Sequence, residues 1–274
     1  MIGVGLGLRR RRFGGGGGFD SDYQAVLDYA TTQGYTLPSA SQQTLQNQLV
    51  VDLKDAGIWN DADWIRVAAN DGGAQFGTIN WKNPNSYQAI LVNSPSFLAN
   101  NGFQSNGTSS YVNENWAPSD GVNFQLNDAS EFIWMNTNLN GVVGAFLYGS
   151  GESGGQNASL LERDSSTTIY PRINASTSGY NVNANNPTVG LYGVHRANST
   201  ACAFSKNGVV IFNFSTTSTS RSSQKSYTLA RNNNGTAMNF LNSGYYSFRL
   251  SGKNISGVKL TSLYTAINTY ITSI

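Results

Sequence analysis

From about Trp64 onward the chain is cut into short apolar stretches bounded by Gly, Asn, Ser and Pro, a texture that suits many short strands joined by turns and little else. The spacing predicts strands over 130–136, 144–150, 159–163, 168–174, 190–196 and 227–232. A hairpin is expected over 202–214, because Asn207-Gly208 supplies the two positive-φ positions of a type I′ turn. Tyr246, Phe248 and Leu250 alternate as one strand face. Leu263, Ile267, Tyr270, Ile271 and Ile274 then take helical spacing, so a last helix should close the structure. No fixed-period repeat is visible, which disfavours a solenoid or propeller.

Ahead of this β region lie two helical patterns. Ser21 and Gln24 form a capping-box pair, and Tyr23, Val26, Leu27 and Ala30 follow at i, i+3, i+4 and i+7, ending near Gly34. Ser39 and Gln42 repeat the box after Pro38, and Leu45, Leu49 and Leu53 form an apolar row that stops at Gly57. Both helices are too short to stand alone, so the hairpin must pack on the following domain or on another subunit.

The first 18 residues, MIGVGLGLRRRRFGGGGG, cannot build a core. Arg9, Arg10, Arg11 and Arg12 followed by five glycines form a charged tether with coil-like reach, and the expected role is anchoring to acidic protein, phospholipid or nucleic acid. The apolar part precedes the basic part and is short, the reverse of a secretory signal. No later stretch reaches the 18 or so apolar residues of a spanning helix.

Charged residues make up only 12% of the chain, about half the usual share, while 33 asparagines with Ser, Thr and Gly supply the polar surface. Net charge is +2, yet residues 1–164 hold all 15 carboxylates against 8 Lys and Arg, and residues 165–274 hold 9 Lys and Arg and no carboxylate. Two arrangements satisfy this asymmetry: a cationic face for anionic glycans, or two halves that interleave and neutralise each other. One cysteine, Cys202, and one histidine, His195, exclude an intramolecular disulfide and most zinc sites. Cys202 alternates with Phe204 and is expected to be a buried thiol. Seven Asn-X-Ser/Thr sequons read as a by-product of composition in the absence of a secretory signal.

The segment YQAVLDYATTQGYTLPSASQQTLQNQLVVDLKDAGIWNDADW, the Trp-Lys-x-Pro element at 81–84 and NGFQSNGTSSYV together resemble the front of virion structural proteins of phages infecting Bacteroidota-type hosts. The back half is similar to their concanavalin-A-like, or laminin-G-like, jelly roll: His195-Arg196-Ala197-Asn198-Ser199, then the Asn207-Gly208 hairpin, then a strand and amphipathic helix over 246–274. The resemblance implies a mainly β concanavalin-A-like jelly-roll sandwich (60–274) with an N-terminal helical hairpin (20–59), a leader (1–19) and a C-terminal helix. It also implies a non-enzymatic spike, fibre or vertex component located in the virion. Such a protein would be partnered by other virion proteins through the leader and hairpin, form a homo-oligomer with a trimer favoured, and attach to host-surface glycan. Capsid cement without a glycan ligand and a polysaccharide depolymerase are the alternatives.

Glycanases on such sandwiches place carboxylates as Glu-x-Asp-x-(x)-Glu. Glu162-Arg163-Asp164 supplies two on one strand face, but Ser165 and Ser166 replace the third, so a strand-edge charge pattern is the preferred reading. Asp120, Asn123, Asn127 and Asp128 could ligate calcium, though their spacing fits no calcium loop, and no metal or cofactor is expected. The glycine-rich run 149–155 lacks the Lys-Ser/Thr of a phosphate loop, and no nucleic-acid-binding motif accompanies the basic residues. Trp116, Tyr180 and Tyr192, beside Asn-rich loops, and His195 with Arg196 are the candidate glycan-binding residues.

Overall fold

The computed structural model describes residues 18–139, 142–152, 157–161, 168–177 and 188–274. Helices α1 (Ser21–Thr32) and α2 (Ala40–Asp55) open it. The strands that follow are β1 (Ala62–Val67), β2 (Ile90–Val92), β3 (Ser96–Leu98), β4 (Gly102–Gln104), β5 (Tyr111–Asn113), β6 (Ala129–Met135), β7 (Phe146–Gly151) and β8 (Asn157–Leu161). Next come β9 (Tyr170–Ala175), β10 (Gly190–Arg196), β11 (Ala201–Lys206), β12 (Val209–Ser215), β13 (Tyr227–Thr228), β14 (Arg231–Asn233), β15 (Thr236–Met238) and β16 (Tyr246–Gly252), before α3 (Gly257–Ser273).

The strands form a two-sheet sandwich, as the sequence pattern predicts. One sheet runs β12-β11-β10-β6-β16-β4-β3, with β1 also paired to β16. The other runs β15-β14-β7-β13-β5-β2, with β8 on β7 and β9 on β8. Every residue of β6, β10 and β16 is buried, because the first sheet is covered on both faces. Its inner face, with Ala129, Ile133, Met135, Tyr192, Val194 and Tyr246, packs on the second sheet. Its outer face, with Ile65, Val67, Phe132, Trp134, Phe248 and Leu250, packs under the three helices.

The helical hairpin therefore packs on the sandwich itself. Tyr23, Val26 and Ala30 of α1 and Leu49, Val50 and Leu53 of α2 share one apolar cluster with Leu263, Ile267 and Ile271 of α3. Each such side chain contributes about 1.5–3 kcal/mol by leaving water. A polar relay crosses the layer: the Tyr23 hydroxyl donates to Gln46 Oε1 (2.7 Å), Gln46 Nε2 donates to the Tyr270 hydroxyl (3.0 Å), and that hydroxyl donates to the Ala69 carbonyl (2.6 Å).

Local departures from the sequence pattern have local causes. Asp20 rather than Ser21 caps α1, its carboxylate accepting from the Asp22 N–H at 3.0 Å. Ser39 caps α2 as expected. The strand expected over 227–232 is split into β13 and β14 because Leu229, fully buried at φ 67°, turns the chain to bond Leu147. Tyr246, Phe248 and Leu250 do not share a face: a bulge between Tyr246 and Phe248 sends Tyr246 inward and the other two outward beneath the helices. At the β11–β12 turn, Asn207 (φ 50°) and Gly208 (φ 79°) have the expected positive φ, and a Cβ at Gly208 would stand 2.9 Å from Tyr264 Cβ.

Candidate functional site

Where β10, β11 and β12 emerge from beneath the start of α3, the outer face of the first sheet is left partly uncovered. A cavity of about 180 Å³ opens there, lined by His195, Ala203, Val210, Asn213, Asn254 and Leu260 among others. Strand alternation explains the lining. His195, Ala203 and Asn213 are cross-strand neighbours in register, so all three point outward from the sheet. Val210 and Leu260, with Ala197 and Ala201, give the cavity an apolar surface, while Asn213, Asn254 and Ser256 supply polar groups.

Several of these polar groups are not saturated within the fold. His195 is 4% exposed, and its Nε2 pairs with the Ser205 hydroxyl at 2.5 Å, whereas Nδ1 makes no hydrogen bond of acceptable geometry. Burial lowers the imidazole pKa to about 4, outweighing a weak opposing effect of the Ile255 backbone, so the ring is neutral near pH 7. Asn254 donates no bond through a side chain whose Oδ1 is buried and unpartnered, while its backbone N–H is held by Asp128 Oδ1 at 3.0 Å. Ser256 stands at the N-cap of α3 without a side-chain capping bond. A cavity with an apolar floor and amide, imidazole and hydroxyl groups on its walls suits a small ligand with a C–H face and hydroxyl edges. Its volume lies below the ~300 Å³ at which drug-sized pockets begin, which points to a single ring or substituent.

Of the candidate glycan-binding residues, His195 lines this cavity and the other described ones do not. Trp116 is fully buried against Trp64 and Phe124, so it cannot stack on a sugar at the surface. Tyr192 is 2% exposed, its ring under the Lys206 ammonium and its hydroxyl donating to the Thr188 carbonyl at 2.7 Å. Arg196 is fully buried and ties a loop together, donating to the carbonyls of Ile173 (2.8 Å), Ser199 (3.1 Å) and Thr216 (3.0 Å). Tyr180, Arg9, Arg10, Arg11, Arg12, and the carboxylates Glu162 and Asp164 lie outside the described residues.

Cys202 is buried, and burial pushes its thiol pKa up, against the attraction of Arg196. The four residues considered for calcium are occupied separately. Asp120 pairs with Lys225 (2.8 Å) and the Ala117 N–H, Asn123 donates to the Asn60 carbonyl, Asn127 accepts from Ser218, and Asp128 holds Asn254. Among the described residues no group of three or more His, Cys, Asp or Glu is placed to hold a metal ion. No helix among them is long and apolar enough to cross a membrane.

The charge asymmetry resolves into pairing between the halves: Glu131 with Arg249 (3.3 Å), Asp120 with Lys225, and Asp61 with Lys259 (2.5 Å). The first of these belongs to a buried network that the sequence reading did not identify. Arg66 Nε donates to Glu114 at 2.9 Å, the Thr228 hydroxyl donates to Glu114 at 2.5 Å and accepts from Arg249 at 2.7 Å, and all four charged side chains are fully buried. Arg249 also stacks on Tyr148, 4.2 Å from the ring centroid. Its enclosure between the sheets makes it a fastening of the sandwich.

Neither a protein-family model nor a curated protein matches the sequence. Solved structures do share the fold. A mutant Trypanosoma rangeli sialidase displaying trans-sialidase activity superposes with a TM-score of 0.57 at 11% identity, covering 84% of this chain and 40% of the sialidase. The T. rangeli sialidase in complex with sialic acid gives 0.56 at 10% identity, covering 83% and 39%. The botulinum neurotoxin serotype D binding domain gives 0.53 at 10% identity, covering 77% and 52%. The chain thus spans about two fifths of the sialidases and half of the toxin chain. The expectation of a non-enzymatic protein is corrected by these neighbours, which include enzymes, one of them held as a covalent intermediate with 2,3-difluorosialic acid. At this identity, the likeness establishes a β-sandwich shared by sialidases and toxin binding domains.

Proposed function

We propose that this chain is a glycan-binding β-sandwich protein of a phage virion, carried in the particle by its leader and helical hairpin and offering the cavity at β10–β12 to host-surface glycan. The observation that carries the reading is the cavity's pairing of an apolar floor with unsaturated groups, His195 Nδ1 and Asn254 Oδ1, in a charge-poor surface. Neutral amides and imidazole exchange hydrogen bonds with hydroxyls without the desolvation cost of charges. The neighbours support it in kind: one is a sialidase bound to sialic acid and another a toxin receptor-binding domain. The virion assignment rests on the resemblance of the front segment and on the Arg/Gly leader. Homo-oligomerisation, with three copies favoured, would multiply individually weak sites into firm attachment.

A glycan array probed with the full chain, with titration calorimetry on the best hit and product analysis for cleavage, tests the reading. Asn213→Ala should weaken binding about tenfold, the equivalent of ~1.4 kcal/mol, and Ala203→Phe should abolish it by filling the cavity. Binding that survives Ala203→Phe in a folded protein, or an array with no hit, would discard the site.

A further inference from the structure

The strand that borders this cavity is also the open edge of the eight-stranded sheet. β12 is hydrogen-bonded to β11 and, among the described residues, to no strand on its other side. It carries no charge and no proline, and Val209, Val210 and Ile211 are 61%, 41% and 45% exposed. Folded proteins guard such edges with charge, proline, bulges or a covering segment. The bulge opposite Phe204 and Ser205 is the sole guard here among those devices, and it leaves three β-branched residues in solvent. Phe212 and Phe214 stand at the margin of the inter-sheet core and are only partly covered.

A complementary segment is present in the sequence. Residues 1–8 read Met-Ile-Gly-Val-Gly-Leu-Gly-Leu, with Ile2, Val4, Leu6 and Leu8 on alternate positions and glycine between them. A strand with that period has one apolar face and one bare face. The apolar face suits the exposed margin at Phe212 and Phe214, and the bare face leaves the cavity beside Val210 and Asn213 open.

The route from leader to edge is marked by charge. The described chain begins beside the end of α2, where Lys54 pairs with Asp20 at 2.6 Å. Next to it a groove of about 470 Å³ runs between α2 and α3, lined by Asp52, Asp55, Thr261 and Thr265 among others. Neither carboxylate has an ion-pair partner among the described residues, and burial together with the neighbouring Asp55 charge pushes the Asp52 pKa up. Across the groove, Thr261 donates to the Gly208 carbonyl at 3.4 Å, immediately before β12. The acidic groove therefore lies between the start of the described chain and the start of the open edge.

We propose that residues 1–8 add to β12 as an antiparallel strand of the same molecule, with Arg9, Arg10, Arg11 and Arg12 lying along the Asp52/Asp55 groove. The direction follows from the route: Leu8 meets the Val209 end and Ile2 the Ser215 end. Residues 9–17 can span roughly 30 Å when extended, at ~3.3–3.6 Å each. Crossing the width of two packed helices requires about 20 Å. This docking is independent of the glycan reading, and it makes anchoring of the leader to a particle compete with β12 for the same segment.

Two measurements on the full chain test the docking. In a Cys202→Ser background, Leu6→Cys with Ile211→Cys should oxidise to a disulfide-closed monomer of altered gel mobility. Absence of the disulfide, or a disulfide-linked dimer, would overturn docking within one molecule. Hydrogen exchange provides the second readout, and it does not depend on new cysteines. Val4→Asp with Leu6→Asp should speed exchange of the outward β12 amides by about tenfold or more while leaving β6 and β16 unchanged. Equal exchange rates in the wild type and the variant, whether fast or slow, would show that the leader does not cover β12.

Discussion

The two faces of the eight-stranded sheet are both buried and are held in different ways. Against the second sheet, the inner face encloses Arg66, Glu114, Glu131 and Arg249, each with no solvent exposure. Against the helices, the outer face is almost wholly apolar and carries one uncharged relay, Tyr23–Gln46–Tyr270. The contrast follows from what each partner can offer. A helix layer can slide along an apolar sheet face, and directional bonds at the two tyrosines fix its place. Two sheets packed face to face present many near-equivalent alignments, and paired charges with single partners select one of them, at a desolvation cost. Charge inside this protein accordingly marks alignment of the sheets, and ligand chemistry is found where the helices stop covering the outer face.

The largest effect expected from disturbing this contrast is on the inner face. Arg249→Met leaves Glu131 buried without its cation and should cost about 3–5 kcal/mol in urea unfolding, while adding Glu131→Gln should recover most of the loss. A double variant no more stable than the single one would show that the pair is not the unit of that network.

Next is His195, whose imidazole is protonated more readily in the unfolded chain than in the fold, where its pKa is lowered to about 4. Its contribution is present above pH 6.5 and is lost as pH falls from there through about 4, amounting to about 3 kcal/mol at most. Burial raises the Glu131 pKa, and that group acts with the opposite sign, adding stability as pH falls through its raised value. Comparing the pH dependence of wild type and His195→Gln isolates the histidine, and identical acid slopes would contradict its assignment as a buried neutral ring. The smallest expected effect is on the outer face. Tyr270→Phe removes the donor to the Ala69 carbonyl and should cost about 1–2 kcal/mol by thermal or urea unfolding, with glycan binding unchanged.

Much of the fold could be read from single residues. Gly34, Gly57 and Ser39 delimit the first two helices because positive φ and side-chain capping are local requirements. Asn207-Gly208 located the hairpin for the same reason, and β10 has the predicted bounds. Where a backbone irregularity intervenes, periodicity misleads: the bulge before Phe248 and the turn at Leu229 depend on partners far away in the chain. The site was less legible. His195 was singled out, but Asn213, Asn254, Ser256 and Leu260 meet it only because α3 begins over the edge of the sheet. Trp116, Tyr192 and Arg196 illustrate the converse, since residue type alone does not separate a buried ring or guanidinium from an exposed one. The inner network did leave a trace: Arg66, Glu131 and Arg249 are each a lone charge within an otherwise apolar or small-residue strand.

β1 pairs with β16, Ala62 opposite Gly252, and the helices that precede β1 share their cluster with α3, the last element. During synthesis the N-terminal hairpin must therefore wait with its apolar side uncovered until nearly the whole chain has left the ribosome. Such late closure of distant contacts slows folding and exposes the nascent chain to aggregation, so the protein should depend on chaperone protection more heavily than its size alone would require.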